Sequence, residues 1–266
     1  MPVQVWATWF PAGATPLTLI QGFPLEDLDL SVKGRSPFHF RIRQNAIEEN
    51  SCKGRLEVDG HRVSWDLRYR SNFRTTMSNK GWIGFSRSPH SDAVFSGQIV
   101  LDGEVAAGDP LGLGVQGHNC GYRHRSFWKW AHVYFDGEDG TPPTTLEALV
   151  YDMPFGMLFR KVVVWHHSSK HEFRNIEEIA GGANDFTWSF RANNKEGCRI
   201  EVLIDGRGAS LHHLPYLKTD CSGSIEVANN SCARAQIRLQ RRAGRVELLE
   251  TASGAVLEFG GRCPRS

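Results

Sequence analysis

Apolar and polar residues alternate with a period of two through most of this chain. Between His61 and Arg70, Val63, Trp65, Leu67 and Tyr69 fall on one side, and Arg62, Ser64, Asp66, Arg68 and Arg70 on the other. Successive side chains of an extended backbone point to opposite faces, so the segment predicts a strand with one dry and one wet face. Cys52–Val58 repeats the pattern, with Leu56 and Val58 set against Arg55 and Glu57. Asp59-Gly60 joins the two segments, and glycine tolerates the positive φ that a tight hairpin turn needs. Asp102-Gly103, Asp136-Gly137, Asp139-Gly140 and Asp205-Gly206 follow other apolar runs in the same manner. Further strands are predicted over 38–43, 94–101, 127–135, 146–151, 158–165, 198–204, 234–240, 245–249 and 255–259. One helix is predicted, with Ser168-Ser169 as its cap, Phe173, Ile176 and Ile179 as its buried stripe and Gly181-Gly182 as its stop. Many short strands separated by turns make an all-β sandwich or barrel with at most one or two short helices. The polar, proline-containing segment Ser86–Asp92 is the best boundary, dividing a lobe over 1–92 from a lobe over 93–266.

Composition narrows the function. The formal net charge is only +2, so no basic field calls for a nucleic-acid partner. No apolar run reaches the roughly 18 residues of a membrane span, so stable insertion is not expected. The opening Met1-Pro-Val-Gln-Val-Trp6 has neither the basic nor the apolar region of a secretion signal. The six cysteines include no CxxC pair, which fits reduced thiols in a cytoplasmic protein. Eight Trp and 15 Phe are many for 266 residues, and they point to flat apolar surfaces.

The richest segment is 112–135. In its second half Trp128, Trp130, His132 and Tyr134 share one face of a predicted strand. Each carries a polar group that needs a partner when buried. The face suits either a cavity for a large, flat or polyene-like apolar ligand or a satisfied aromatic core. Trp82, Tyr69 and Phe155 are candidates to extend such a lining. His118 and Asn119 lie between glycine-rich turns: the imidazole could move a proton and the amide could donate to a carbonyl, or both could simply tie the bend. Tyr122 is a second candidate to orient a substrate oxygen. Asp152 precedes the apolar turn Met153-Pro154-Phe155, where a raised pKa would let it protonate a double bond; the alternative is a turn cap. His166, His167 and His171, and His118, His124 and His132, lack the usual zinc spacing, and neighbours on a strand face opposite ways, so no metal is expected. There is no G-x-S-x-G elbow, and no Walker A loop or G-x-G-x-x-G fingerprint opens a strand–helix unit, hence no triad hydrolase or nucleotide cofactor is expected.

Gly97-x5-Gly103, Gly114-x2-Gly117-His118-Asn119-x-Gly121 and Trp128-x-Trp130 together resemble the core signature of lipocalin-like proteins related to tocopherol cyclase, carotenoid 1,2-hydratase and the fungal lipocalin-like Diels–Alderases. Ala255–Gly261 and the strand around Trp65 resemble other parts of that group. Cys120 departs from its usual aromatic or charged residue, and the chain is shorter than typical members. The resemblance implies a two-lobed β protein acting on a hydrophobic small molecule without a cofactor. Its implied reactions are ring closure, proton-initiated or pericyclic, or addition of water to an isoprenoid double bond. A non-catalytic lipid or pigment carrier is the alternative.

Overall fold

The computed structural model describes residues 3–11, 14–29, 39–79, 84–121, 125–137, 141–208, 210–218, 222–242 and 244–261. Its strands are β1 (Val3–Trp9), β2 (Leu17–Phe23), β3 (Leu28–Asp29), β4 (Phe40–Ile42), β5 (Asn45–Ile47), β6 (Ser51–Val58), β7 (His61–Arg70), β8 (Thr75–Asn79), β9 (Gly84–Leu101), β10 (Glu104–Ala107) and β11 (Gly112–Gly121). They continue as β12 (Phe127–Phe135), β13 (Thr144–Asp152), β14 (Leu158–His166), β15 (Ser169–Phe173), β16 (Asn175–Ala180), β17 (Thr187–Asn193), β18 (Arg199–Asp205), β19 (His212–Leu217), β20 (Ser224–Gln240) and β21 (Val246–Gly261). The described helical turns are three-residue pieces at Leu25–Asp27 and Pro154–Gly156. The all-β class expected from the alternation is observed, and no described helix is long and apolar enough to cross a membrane.

The chain forms two compact units: residues 1–9, 16–72 and 92–114 make unit 1, and residues 10–15, 73–91 and 115–266 make unit 2. The expected linker Ser86–Asp92 is instead part of β9; the chain passes between the two units five times, once inside β9, between Ser91 and Asp92, and once inside β11, between Gly114 and Val115.

Unit 1 holds the β1–β2 hairpin and an antiparallel sheet ordered β10-β9-β7-β6-β5-β4-β3. Asp59 and Gly60 turn β6 into β7 with φ of 51° and 82°, as their sequence predicts. Leu19, Phe23, Ile42, Leu56 and Val63 are its buried apolar centre.

Unit 2 holds a sheet ordered β15-β14-β13-β12-β21-β20-β18-β17-β16, with β19 paired to β20. One face of β12–β14 contributes Ala131, Val133, Leu146, Ala148 and Val162 to a large core around Trp188 and Phe190. Segments 245–249 and 255–259 join into the single long strand β21. The predicted helix is absent: 169–173 pairs with β14 and 175–180 pairs with β17. Apolar residues three apart mimic a helical stripe there, but Phe173 is fully buried while Ile179 is half exposed, which no common helix face explains. Asp205-Gly206 makes no two-residue hairpin; Gly206 N–H donates to Phe186 O at 3.0 Å and its hydrogen side packs on the Phe186 ring.

Candidate functional site

In unit 1, Val3, Val5 and Ala7 of β1 and Leu17 and Leu19 of β2 pack towards Val63, Trp65, Ile99 and Leu101 of the sheet. They do not close against one another completely. A cavity of about 570 Å³ remains, lined by these aliphatic residues and by Trp6, Trp9, Phe40 and Trp65. That volume lies in the range of small-molecule sites, and its lining is of the apolar, aromatic kind such sites favour.

A short polar row interrupts the apolar wall. Asn45 on β5 is only 4% exposed. Its Oδ1 accepts the Arg55 backbone N–H at 2.9 Å, which fixes which end of the amide is oxygen. Its Nδ2 is buried and has no hydrogen-bond partner among the described residues. An unsatisfied buried donor is costly, which makes this amide a candidate to donate to an acceptor in the cavity. Beside it, Trp65 Nε1 donates to Cys52 Sγ at 3.1 Å, and burial pushes the Cys52 thiol up and keeps it neutral. Gly54 makes the row possible: a Cβ there would overlap both Asn45 Oδ1 and the Trp65 indole.

None of the described residues expected from the sequence to form the site lines this cavity. Tyr69 is buried in unit 1, and its hydroxyl is shared between the carbonyl oxygens of Glu48 and Ser51. Asn119 is exposed on β11, and Phe155 stands 97% exposed in the 154–156 turn with φ of 64°. Trp82 and Tyr122 lie outside the described residues. His118 sits half-buried with its ring edge against Phe85 at 5.0 Å, and burial, with the nearby Arg87 charge, lowers its pKa to about 4.

Asp152 is held in a turn, accepting Ser126 Oγ at 2.6 Å and the Phe127 N–H at 3.1 Å. Asp152→Ala is expected to lower stability by roughly 1–3 kcal/mol, measured by denaturant unfolding, with small-molecule binding unchanged. Loss of binding at unchanged stability would contradict this capping role.

The aromatic face of β12 has the composition expected, and its partners are now visible. Trp128 Nε1 donates to Glu258 Oε1 at 2.6 Å, Trp130 Nε1 to Glu147 Oε1 at 3.3 Å, and His132 Nε2 to Ser91 O at 2.9 Å. Tyr134 lies beside the His132 ring, 5.1 Å between centroids. Trp128 and Trp130 are part-buried and pack with Met77, Leu149, Tyr151 and Val163.

Within this face Glu147 lies directly across from His132 in the β12–β13 register. Glu147 is buried, accepts Ser88 Oγ at 2.8 Å, and has no partner on Oε2 among the described residues. Burial raises its pKa to about 7 against the opposing hydrogen bonds of Ser88 and Trp130 and the Lys161 charge. Burial likewise lowers His132 to about 4, so the imidazole is neutral. Because the Ser91 carbonyl can only accept, His132 Nε2 carries the proton. An acid and a base with pKa values pushed apart therefore face each other across two strands. The raised-pKa argument made for Asp152 thus applies to Glu147. The available signal was a glutamate alternating with Leu149 and Tyr151 in mid-strand.

No protein-family model matches this chain, and no curated protein matches it significantly. Among solved structures it is similar to kievitone hydratase from Nectria haematococca, with a TM-score of 0.53 at 12% identity, covering 92% of this chain and 75% of that one. The fold is lipocalin-like. A candidate AttH from Nitrosomonas europaea aligns over 92% of this chain and 77% of its own, with 12% identity and a TM-score of 0.49.

Proposed function

We propose that the protein is a cofactor-independent cyclase, closing a ring on a hydrophobic polyene- or isoprenoid-derived substrate that carries a carbonyl oxygen. The unit 1 cavity with its unpartnered Asn45 donor is the observation that carries this reading. Apolar walls hold a flexible chain folded on itself, and such preorganisation lowers the entropic part of the barrier. Asn45 Nδ2 donates to the carbonyl oxygen, drawing electron density from the conjugated system as the ring closes. A pericyclic closure moves no proton and releases nothing, so this one donor and the cavity's shape suffice. The indoles of Trp6, Trp9 and Trp65 offer π faces to an extended conjugated chain.

Glu147 and His132 favour a second reading, in which a buried acid protonates an alkene and water or an internal nucleophile follows. The two readings use different units and predict different products.

The test is mass spectrometry of apolar compounds retained by the purified protein, then incubated with fresh protein. Closure gives an isomer of unchanged mass; hydration adds one water. Asn45→Leu is expected to lower the rate of closure roughly 100-fold, on the scale of losing one donor to a developing oxyanion. Product formed at an undiminished rate by Asn45→Leu, but abolished in Glu147→Gln, would replace the first reading with the second.

A further inference from the structure

At the end of β14 the chain reverses into β15 through His167 and Ser168, whose φ angles of 45° and 62° are left-handed. Tight turns of this hand ordinarily use Asn, Asp or Gly. A histidine there accepts backbone strain, and the turn aims its ring in a direction that a strand would not. The two neighbouring imidazoles, expected to face apart, have ring centroids 3.9 Å apart.

Both rings meet one carboxylate on β21. His166 Nε2 lies 2.9 Å and His167 Nε2 3.8 Å from Glu247 Oε2. Their ligand atoms all fall within 4.8 Å of one another, a spread that one small cation can span. The surroundings support each ligand. Thr144 Oγ1 lies 2.7 Å from His166 Nδ1. The Glu247 carboxylate can only accept, so His166 Nε2 donates to it here; a hydroxyl accepts as readily as it donates, so Thr144 Oγ1 can instead accept from Nδ1 when a cation takes the Nε2 lone pair. Arg241 Nη2 donates to Glu247 Oε1 at 2.8 Å and leaves Oε2 for a ligand. Such outer hydrogen bonds orient the ligands of metal sites. His166 is 2% exposed and His167 about half exposed, so the site has a fixed floor and an open rim.

We propose that His166, His167 and Glu247 form a binding site for one zinc-class divalent cation, with the fourth position left to water. Two imidazoles and one carboxylate are a donor set suited to zinc. No residue of the site lines the unit 1 cavity, and the proposal is independent of the cyclase reading.

The untagged full-length chain, stripped with EDTA, would be titrated with zinc chloride by calorimetry and with cobalt(II) by visible absorption. One equivalent is expected to bind, with a tetrahedral cobalt spectrum and a raised melting temperature. His167→Ala and Glu247→Gln should each weaken binding at least tenfold. Thr144→Val should weaken it as well while leaving all three ligands in place. His171→Ala, in the neighbouring His171, Glu196 and Cys198 cluster, should leave it unchanged. His167→Ala removes an exposed side chain, and its melting temperature in EDTA reports whether it is folded. Absence of stoichiometric binding, or binding that survives His167→Ala and Glu247→Gln but not His171→Ala, would overturn the proposal.

Discussion

Glu147→Gln is expected to make the protein more stable than the natural chain above pH 7, by about 3 kcal/mol, and to match it near pH 4.5. The folded-state pKa is about 7 against an ordinary 4.5, so between these values the folded chain binds more protons than the unfolded one. The contribution of Glu147 to stability therefore falls as pH rises through this window, by about 1.4 kcal/mol for each pH unit crossed. Glutamine keeps an oxygen for Ser88 and Trp130 but has no charge to strip of water. His132 gives the mirror image. Its pKa drops from 6.5 to about 4, so stability falls as pH falls from 6.5 towards 4 by a similar amount. The two windows overlap between about 4.5 and 6.5, where their slopes oppose each other, so the Glu147 effect is read as the difference between the two chains. Urea unfolding of both chains from pH 4.5 to 8.5 reads the effect. Parallel curves for the natural chain and Glu147→Gln would show that Glu147 is ionised at neutral pH, and would remove the acid from the hydration reading.

What could be read from the sequence was what neighbours along the chain decide. The β6–β7 hairpin needs only two alternating runs and Asp59-Gly60 between them, and the structure contains it. The face of β12 was also legible, because alternation alone assigns Trp128, Trp130, His132 and Tyr134 to one side. Alternation does not say what will cover that side. Met77 of β8 and Ser88 and Ser91 of β9 meet residues of this layer, from segments roughly 40 to 55 residues earlier. The cavity left no trace in the sequence for a related reason. It is a failure of β1, β2 and the sheet to fill the space between them, and a void has no residue of its own. Asn45 was invisible beside Gln44 in what reads as a polar loop, although it occupies a three-residue strand. The histidine pair was hidden for a local reason: alternation carries a strand straight through His167, where the backbone in fact turns left-handed.

Gly54→Ala should abolish small-molecule binding in unit 1 with a single methyl group. The added carbon would overlap Asn45 Oδ1 and the Trp65 indole, both buried or half-buried and each tied by a hydrogen bond, to Arg55 N–H and Cys52 Sγ. Neither can swing away without breaking that bond, so the amide and the ring must both shift. Overpacking of this kind costs roughly 1–3 kcal/mol, and a donor displaced by an ångström loses most of its effect on a reacting carbonyl, roughly 100-fold. Glycine at φ values open to other residues is usually replaceable, and on the wet face of a strand alanine would be neutral. Here the absence of a side chain is what lets the amide lie across the strand. The comparison that isolates this is Ala7→Phe, which fills the cavity from the opposite wall without touching Asn45. Both variants should lose affinity for a naphthyl ketone probe read by tryptophan fluorescence. Only Gly54→Ala should lower the melting temperature through its overlap with Asn45 and Trp65, and Asn45→Leu combined with Gly54→Ala should add less than the sum of the two. Strict additivity of that pair would show that Gly54 acts elsewhere and that the amide is not the polar tip of the cavity.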